Sequence, residues 1–398
     1  MKKSATPVSS KSPVFGKLSG AAFLMATSAI GPGFITQTAV FTQQLFTSFG
    51  FVILVSIVLD IIVQMNIWRM IGATRLPAAS LANKVFPGLG MVLVVLVSAG
   101  GLLFNIGNIG GCGLGLQTLF GIDVKTGAIL SAAIAIVIFL YREFGLAMDA
   151  FTKMLAVVML LLTLYTAIQS HPPLLRVLHH SFLPQKISVT AIVTLVGGTV
   201  GGYISFAGAH RMLDTTSDAK PDLKQVDKAA ISGIVLAGIM RILLFLGAVG
   251  VVAGGVKLEA ANPTASVFQS AGGITGLKIF GIVLWSAAIT SVVGAAYTSV
   301  SFLQTLHPFI QKNKRWFIVT FILVSGLIFT VVGNPVNVLV KAGAVNGFIL
   351  PFSLTLILIA AMKQSIIKDY KHPIWLVISG WLVVFLMTWM SIQVIRNL

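Results

Sequence analysis

The chain has 398 residues, of which 57% are hydrophobic and 9% are charged, and its mean hydropathy is +0.98. This composition predicts an integral membrane protein without a soluble domain. The net charge of +17 is spread over many short loops, which argues against a nucleic-acid-binding surface and makes the lipid bilayer the expected partner.

Eleven apolar stretches follow one another along the chain, and we interpret each as a membrane-spanning helix because about 20 apolar residues cross the hydrocarbon layer. They cover residues 18–46, 50–73, 88–119, 126–141, 146–168, 188–213, 230–256, 277–306, 316–333, 335–361 and 373–395. The stretches are continuous rather than alternating, which predicts an all-α fold and excludes a transmembrane barrel. Residues 1–17 would form a cytoplasmic N-terminal tail.

The first span contains a helix breaker, in the sequence "AIGPGFITQTAVFTQQ" at residues 29–44. The sixth span, "TLVGGTVGGYISFAGAHRML", is also interrupted by glycines. Five spans separate the two interruptions, so residues 188–361 would repeat the unit 18–168 in inverted orientation, followed by a final span at 373–395. Paired broken helices of this kind are typical of secondary transporters, although glycine in a membrane helix can also serve close packing.

Broken helices of such transporters meet near the bilayer midplane, where they bind the substrate. The pattern therefore predicts substrate-binding residues on the first, sixth and tenth spans. The predicted set is Gly31, Gly33, Thr36, Gln37, Thr38, Thr42, Gln43, Gly198, Gly201, Gly202, Tyr203 and Asn346.

Two charged residues, Asp60 and Arg241, fall roughly 16 to 18 Å along the second and seventh spans at 1.5 Å per residue. A charge at that depth is costly and usually has a partner or a function. We predict that the two residues form an ion pair. The pair could break and re-form during transport while Asp60 takes a proton, or it could be a static clamp.

Lysine and arginine are concentrated in the alternate loops that share a side with the N-terminus. This bias predicts a multi-pass cell-membrane protein with a cytoplasmic N-terminus and an external C-terminus. His210 and Arg211, next to Asp214 and Asp218, would form either a cytoplasmic anchor or an inner gate. No phosphate-binding loop is present, and the single cysteine, Cys112, offers no disulfide framework.

Four motifs resemble those of the natural resistance-associated macrophage protein (NRAMP) metal transporters: "GPGF" in span 1, "FGFVILVSIVLDIIVQ" in span 2, "GGTV" in span 6 and "LPF" in span 10. The resemblance covers nearly the whole chain. It implies the LeuT-type fold of the amino acid, polyamine and organocation superfamily, and it implies a transporter rather than an enzyme.

The departures from that family concern the metal ligands. The family's Asp-Pro-Gly-Asn has no counterpart here, since no acid or Asn occurs between Gly31 and Gly50. Gly201 stands in place of the family's Met, and Ile349 in place of its Gln. We therefore predict no protein-bound metal and no cofactor, with His171, His179 and His180 of an outer loop as the remaining alternative ligands.

Without a carboxylate to offset them, the helix N-termini at the two breaks favour an anionic group. We therefore expect alternating-access transport of a small organic carboxylate or amino-acid-like solute, coupled to protons. This branch of NRAMP-like sequences is associated with 5-oxoproline breakdown enzymes, which adds 5-oxoproline as a candidate. The alternatives are a partly hydrated Mg²⁺ or Mn²⁺ as substrate, and a non-transporting sensor or scaffold.

Overall fold

A computed structural model describes residues 29–215 and 222–396, together with Ala22, Met25 and Ala26. Within these ranges the side chains of residues 142–153, 211, 214 and 215 are not described. The predicted tail at residues 1–17 therefore lies outside the described part of the chain. So do Asp218 and the side chains of Arg211 and Asp214, which were predicted to form an anchor or a gate.

All regular elements in the described ranges are helical. They are α1 (Pro32–Leu45), a 3₁₀ turn (Phe46–Ser48), α2 (Phe49–Thr74), α3 (Ala78–Val85), α4 (Leu89–Phe120), α5 (Val124–Leu140), α6 (Arg142–Gln169), α7 (Leu174–Phe182), α8 (Val189–Thr199), α9 (Ile204–Thr215), α10 (Leu223–Ala253), α11 (Pro263–Leu303), α12 (Pro308–Lys312), α13 (Lys314–Val332), α14 (Pro335–Met362), α15 (Gln364–Ile367) and α16 (Ile374–Arg396). The prediction of an all-α membrane fold is confirmed.

Both predicted helix breaks are present. Ala29 is helical, the helix is interrupted at residues 30 and 31, and α1 begins at Pro32. Proline lacks an N–H donor and clashes with the preceding turn, so it fits the first position of a helix and not its interior. The sixth span is interrupted between Thr199 and Ile204, where Gly202 has a φ of 54°.

Eight helical stretches of the described residues are long and apolar enough to cross a membrane, or nine if a pair bent by 107° between α6 and α7 counts as one span. This count joins α1 and α2 into one stretch and leaves out the shorter α5. Every span predicted from the sequence contains a helix, but the exact number of eleven stays a prediction.

Helix α11 is kinked at Gly273, whose φ of 60° and ψ of −154° are not helical. The part after the kink corresponds to the predicted eighth span, at residues 277–306. It packs along α4, and the glycine-rich stretch of α4 allows close approach there. A Cβ atom on Gly115 would lie 2.8 Å from Trp285, and one on Gly111 would lie 2.5 Å from Pro32. These glycines of α4 therefore serve close packing between helices.

Helix α1 lies at the centre of the bundle, in contact with α4, α8, α10, α11 and α14. Helices α2 and α10, which contain the predicted second and seventh spans, pack against each other beside it. This arrangement brings both helix breaks, and the two buried charges, into one region of the protein.

Candidate functional site

The start of α1 provides backbone donors inside the protein. Gly31 caps the helix with extended backbone angles, φ −102° and ψ −174°, and no side chain caps its N–H groups. The first N–H groups of a helix have no partner within the helix, and Pro32 has no N–H at all. The N–H groups of Gly33 and Phe34 are therefore available to a ligand.

Two side chains from other helices lie beside this helix start. A Cβ atom on Gly31 would be 3.0 Å from the Oγ of Ser291 on α11 and 3.7 Å from the Oδ1 of Asn108 on α4. The Oγ of Ser291 and the Nδ2 of Asn108 have no hydrogen-bond partner, although the two residues are only 5% and 3% exposed. We call these two side chains and the N–H groups of Gly33 and Phe34 the donor cluster.

The break of the sixth span faces the same region. The hydroxyl of Tyr203 interacts with the side chain of Asn108, and its ring packs edge-on against Phe104 at a centroid distance of 5.8 Å. Asn346 on α14 donates through Nδ2 to the carbonyl of Gly100 at 3.1 Å, while its Oδ1 has no partner and points at Gly202. Tyr203 thus links the two helix breaks through Asn108.

Gln37 lies one turn further along α1, in a narrow slot between α8 and α14. Its Nε2 donates to the carbonyl of Leu339 at 3.0 Å, and its Oε1 has no partner. A Cβ atom on Gly198 would lie 2.6 Å from that Oε1, and one on Gly343 would lie 2.4 Å from the Nε2. Both glycines are required for the amide to fit.

The other predicted polar residues of α1 are arranged differently. Thr38 donates to the carbonyl of Phe34 at 2.8 Å and Thr42 to that of Thr38 at 2.6 Å, so both hydroxyls are satisfied within the helix. Gln43 is exposed at the far end of α1. The structure therefore brings Gly31, Gln37, Gly202, Tyr203 and Asn346 together but leaves Thr38, Thr42 and Gln43 apart from them.

The remaining members of the predicted set lie close to the breaks. Thr36 and Gly33 are buried in the first turns of α1. Gly201 packs against backbone, since a Cβ atom there would lie 2.5 Å from the carbonyl oxygen of Gly197 and 2.8 Å from that of Asn346.

The predicted direct ion pair between Asp60 and Arg241 is not formed. Among the described residues, the salt bridge within 4.0 Å is that of Arg69 with Asp227. Arg241 instead places its Cζ 4.0 Å from the centroid of the Phe34 ring, and Asp60 lies near Thr199, whose hydroxyl donates to the carbonyl of Leu195 at 2.9 Å. The two charges still attract each other across the gap between them.

The site is closed to water in this structure. Gln37, Asn108, Tyr203, Ser291 and Asn346 are each at most 5% exposed. An apolar cavity of about 180 Å³ adjoins the donor cluster between α1, α6, α10 and α11, and its lining includes Ile30 and Thr290, the neighbours of Gly31 and Ser291. The polar residues are therefore occluded, whereas the apolar cavity is open to the exterior at Val157 and Leu236, which are 57% and 40% exposed.

In the part of the chain that the structure describes, no group of three or more His, Cys, Asp or Glu side chains could hold a metal ion. His180 is buried and shares a 2.6 Å hydrogen bond with Thr47, while the His179 and His180 rings lie 5.4 Å apart. At the other end of the sixth span, His210 stacks on Phe302 at 4.7 Å.

Asn108 and Ser291 were missed by the sequence reasoning. Asn108 lies in "FNIGNIGGCGLGLQ", where an amide within an apolar span was a usable signal. Ser291 gave no comparable signal, because a single serine in a membrane helix commonly bonds to its own backbone.

Comparison with known proteins agrees with this architecture. A family model for natural resistance-associated macrophage protein-like proteins matches residues 22–396. The uncharacterized membrane protein YcsG of Bacillus subtilis (strain 168) is 56% identical over 375 residues, covering 94% of this chain and 93% of that protein.

Two solved transporters share the fold at low sequence identity. A crystal structure of a mutant of the Eremococcus coleocola manganese transporter superposes with a TM-score of 0.73 at 17% identity, covering 99% of this chain and 90% of that one. MhsT in complex with L-phenylalanine superposes with a TM-score of 0.67 at 17% identity, covering 95% and 97%. The resemblance noted in the sequence is thus confirmed, and the chain belongs to the natural resistance-associated macrophage protein family of membrane transporters.

Proposed function

We propose that this protein is a secondary transporter that moves a small organic carboxylate or amino-acid-like solute by alternating access. The observation that carries the proposal is the donor cluster, where two backbone N–H groups adjoin the buried side chains of Ser291 and Asn108, whose Oγ and Nδ2 have no hydrogen-bond partner. No acidic side chain belongs to this cluster.

The electrostatics of the cluster favour an anion. A helix N-terminus carries about half a positive charge. Each hydrogen bond from a neutral donor to a carboxylate contributes roughly 1.5 to 3 kcal/mol, because one partner is charged. A bare divalent cation would meet the same N–H groups with the wrong sign, and the chain offers it no carboxylate or thioether at this point.

The neighbouring cavity supports a substrate with an apolar or neutral body. Its lining is almost entirely aliphatic, with Thr290 as a polar exception among the lining residues. A compound with one carboxylate and a compact neutral ring satisfies both sides of the site. Within this class 5-oxoproline is a candidate, because its lactam can also use the amide of Gln37 or Asn346.

A partly hydrated divalent cation is the second candidate. The observation in its favour is the pair of unpartnered amide oxygens, Gln37 Oε1 and Asn346 Oδ1, which both face the break of the sixth span. The solved manganese transporter shares the fold. An ion that keeps part of its water shell needs few direct protein ligands.

Several finer points belong to the same proposal. We infer proton coupling, a cytoplasmic N-terminus and an external C-terminus, on the basis of the buried charges and the loop lysines and arginines. We also infer that residues 18–168 and 188–361 are the inverted repeats and that residues 373–395 form the eleventh span.

Binding to the purified protein tests the substrate class. Calorimetry with a panel of small carboxylates, amino acids, Mg²⁺ and Mn²⁺ is expected to give a signal for a carboxylate and none for Mn²⁺ at micromolar concentration. Asn108→Ala and Ser291→Ala are expected to weaken carboxylate binding by about tenfold each, which corresponds to roughly 1.4 kcal/mol.

Ser353→Ala is the matched control, because Ser353 is equally buried but donates to Leu350 within its own helix. It is expected to leave binding unchanged. Saturable Mn²⁺ uptake into proteoliposomes that is lost in Gln37→Ala or Asn346→Ala would establish the metal function instead.

A further inference from the structure

The two charges buried in the bundle each contact one of the two broken helices at its break. Arg241, on α10, lies over the ring of Phe34 in the first turn of α1. Asp60, on α2, interacts with Thr199, the last residue of α8 before the sixth span is interrupted. The charges are therefore placed to sense or to set the positions of both half-helices.

The polar atoms around these charges are not satisfied. The Oδ1 of Asp60, the Nε and Nη2 of Arg241 and both amide atoms of Gln64 have no hydrogen-bond partner, and the three residues are at most 2% exposed. Gln64 lies one helical turn from Asp60. Buried polar groups are normally paired, so an unsatisfied set of this size calls for a second arrangement in which its members bond to one another.

Asp60 and Arg241 attract each other, yet they are not in contact. The guanidinium has an alternative contact in this structure, the ring of Phe34, while the acid lies near Thr199, whose hydroxyl donates to Leu195. An arginine side chain keeps its charge, whereas a carboxyl group can be neutralised by a proton. The choice between the two arrangements therefore depends on the protonation of Asp60.

We propose that Asp60 and Arg241 form a proton-operated switch that couples both helix breaks to the pH gradient. With a proton on Asp60, the guanidinium stays on Phe34 and the occluded arrangement seen here is held. When Asp60 releases that proton to water, Arg241 leaves the ring and pairs with the carboxylate. The first turn of α1 is then free to move relative to α10. One proton binds from one side of the membrane and one leaves to the other in each cycle.

Arg241 is the charged group that acts on Asp60 among the described residues. Other titratable or charged side chains lie on α2, on α10 and on the helices packed against them. Those that the structure describes are paired with other residues, stacked or exposed. They are Asp227 with Arg69, His180 with Thr47, His210 on Phe302, and the exposed Arg176, His179, Asp222, Lys224, Lys228, Lys278, Lys341, Lys363 and Arg396. The side chains of Arg142, Glu143, Asp149, Lys153, Arg211 and Asp214 lie outside the described part.

The inference deepens the proposed function, because a switch of this kind serves alternating access, but its test uses no substrate. Infrared difference spectra of the reconstituted full chain, recorded between about pH 5 and about pH 8, report a carboxylic acid that ionises in a dry environment. We expect its carbonyl band in the wild type and in Asp222→Asn, which removes an exposed acid. We expect the band to be absent in Asp60→Asn.

Spin labels on Gln44→Cys and Gln117→Cys, both exposed, report the distance between α1 and α4 while the buried Cys112 stays unlabelled. We expect the distance distribution to change with pH in the wild type and to be fixed in Asp60→Asn. Phe34→Leu removes the ring but keeps an apolar side chain, so Arg241 becomes available to the carboxylate. The pH midpoint of the distance change is then expected to fall by about one unit.

A carboxylic acid band that survives in Asp60→Asn would overturn the switch. The switch would also be overturned if the pH midpoint of the distance change in Phe34→Leu equalled that of the wild type. This second variant provides the test if Asp60→Asn does not fold. If the infrared band and the pH-dependent distance change are both observed but no carboxylate binds, only the proposed substrate class is refuted. If a carboxylate binds but neither the infrared band nor the pH-dependent distance change is observed, only the switch is refuted.

Discussion

Replacing Gly202 by alanine is predicted to destabilise the protein because two effects act at the same residue. Its φ of 54° lies in the left-handed region, where a Cβ atom costs roughly 1 to 2 kcal/mol. That Cβ would also lie 1.6 Å from the Oδ1 of Asn346, so the amide must move. The movement breaks its bonds to Gly100 at 3.1 Å and Ala342 at 2.9 Å, each worth about 1 kcal/mol. We expect a total loss of about 3 to 4 kcal/mol.

Equilibrium unfolding in mixed micelles with increasing mole fraction of SDS measures this loss. Gly255→Ala is the matched control, because Gly255 has a φ of 85° and nothing within 4 Å of the added Cβ. It is expected to lose only the backbone part, about 1 kcal/mol. In an Asn346→Ala background the clash disappears, and Gly202→Ala is expected to lose about 1 to 2 kcal/mol. An equal loss in both backgrounds would show that the Asn346 contact does not limit residue 202.

Other contacts outside the site give further predictions. Arg69→Met removes both 2.6 Å bonds to Asp227 and is expected to lower the free energy of unfolding by about 1 to 3 kcal/mol, with a double-mutant cycle against Asp227→Asn reporting the pair itself. Burial and the nearby Arg69 lower the pKa of His372 from 6.5 to about 4, so the unfolded chain takes up a proton first as the pH falls. Stability should therefore decrease between about pH 6.5 and about pH 4 by up to about 3 kcal/mol, and His372→Gln should flatten that part of the pH profile; an unchanged profile would contradict the assignment. Thr47→Val removes the 2.6 Å bond to His180 and is expected to speed hydrogen exchange in the helix that carries this histidine, whereas protection equal to the wild type would show that the bond does not hold it.

The helix breaks could be predicted from the sequence because their cause is local. Pro32 cannot continue a helix from the residues before it, and glycine at residue 202 accepts a left-handed backbone. Which residues line the site was only partly predictable. Thr38 and Thr42 are polar and near the break, yet both hydroxyls bond to the carbonyl one turn earlier. Such back-bonding is the ordinary fate of threonine in an apolar helix.

The sequence marks Asn108 as an unusual polar residue, but it does not show that Asn108 and Ser291 meet the start of α1, because that depends on which faces of α4 and α11 point there. Those faces are set by close packing between helices far apart in the chain, such as Gly115 against Trp285. Counting residues along a helix predicts how deep a side chain lies in the membrane. The direction in which the side chain points also depends on how the neighbouring helices rotate that helix about its axis. The same limit applies to Asp60 and Arg241: both are buried as predicted, but the ring of Phe34 takes the guanidinium that the sequence assigned to the carboxylate.

The separation between these charges and the donor cluster bears on how coupling can work. The donor cluster contains neither a carboxylate nor a histidine, so a substrate bound at the proposed site would not share a ligand with a coupled proton. Any coupling must then pass through the positions of α1 and α8, which Phe34 and Thr199 connect to the charges. In such a mechanism, the affinity of one fixed conformation for the substrate does not depend on pH. The fraction of the protein in that conformation does change with pH. Proton coupling through a shared ligand would instead change the affinity of the fixed conformation itself, and the two cases are therefore distinguishable in a cross-linked protein.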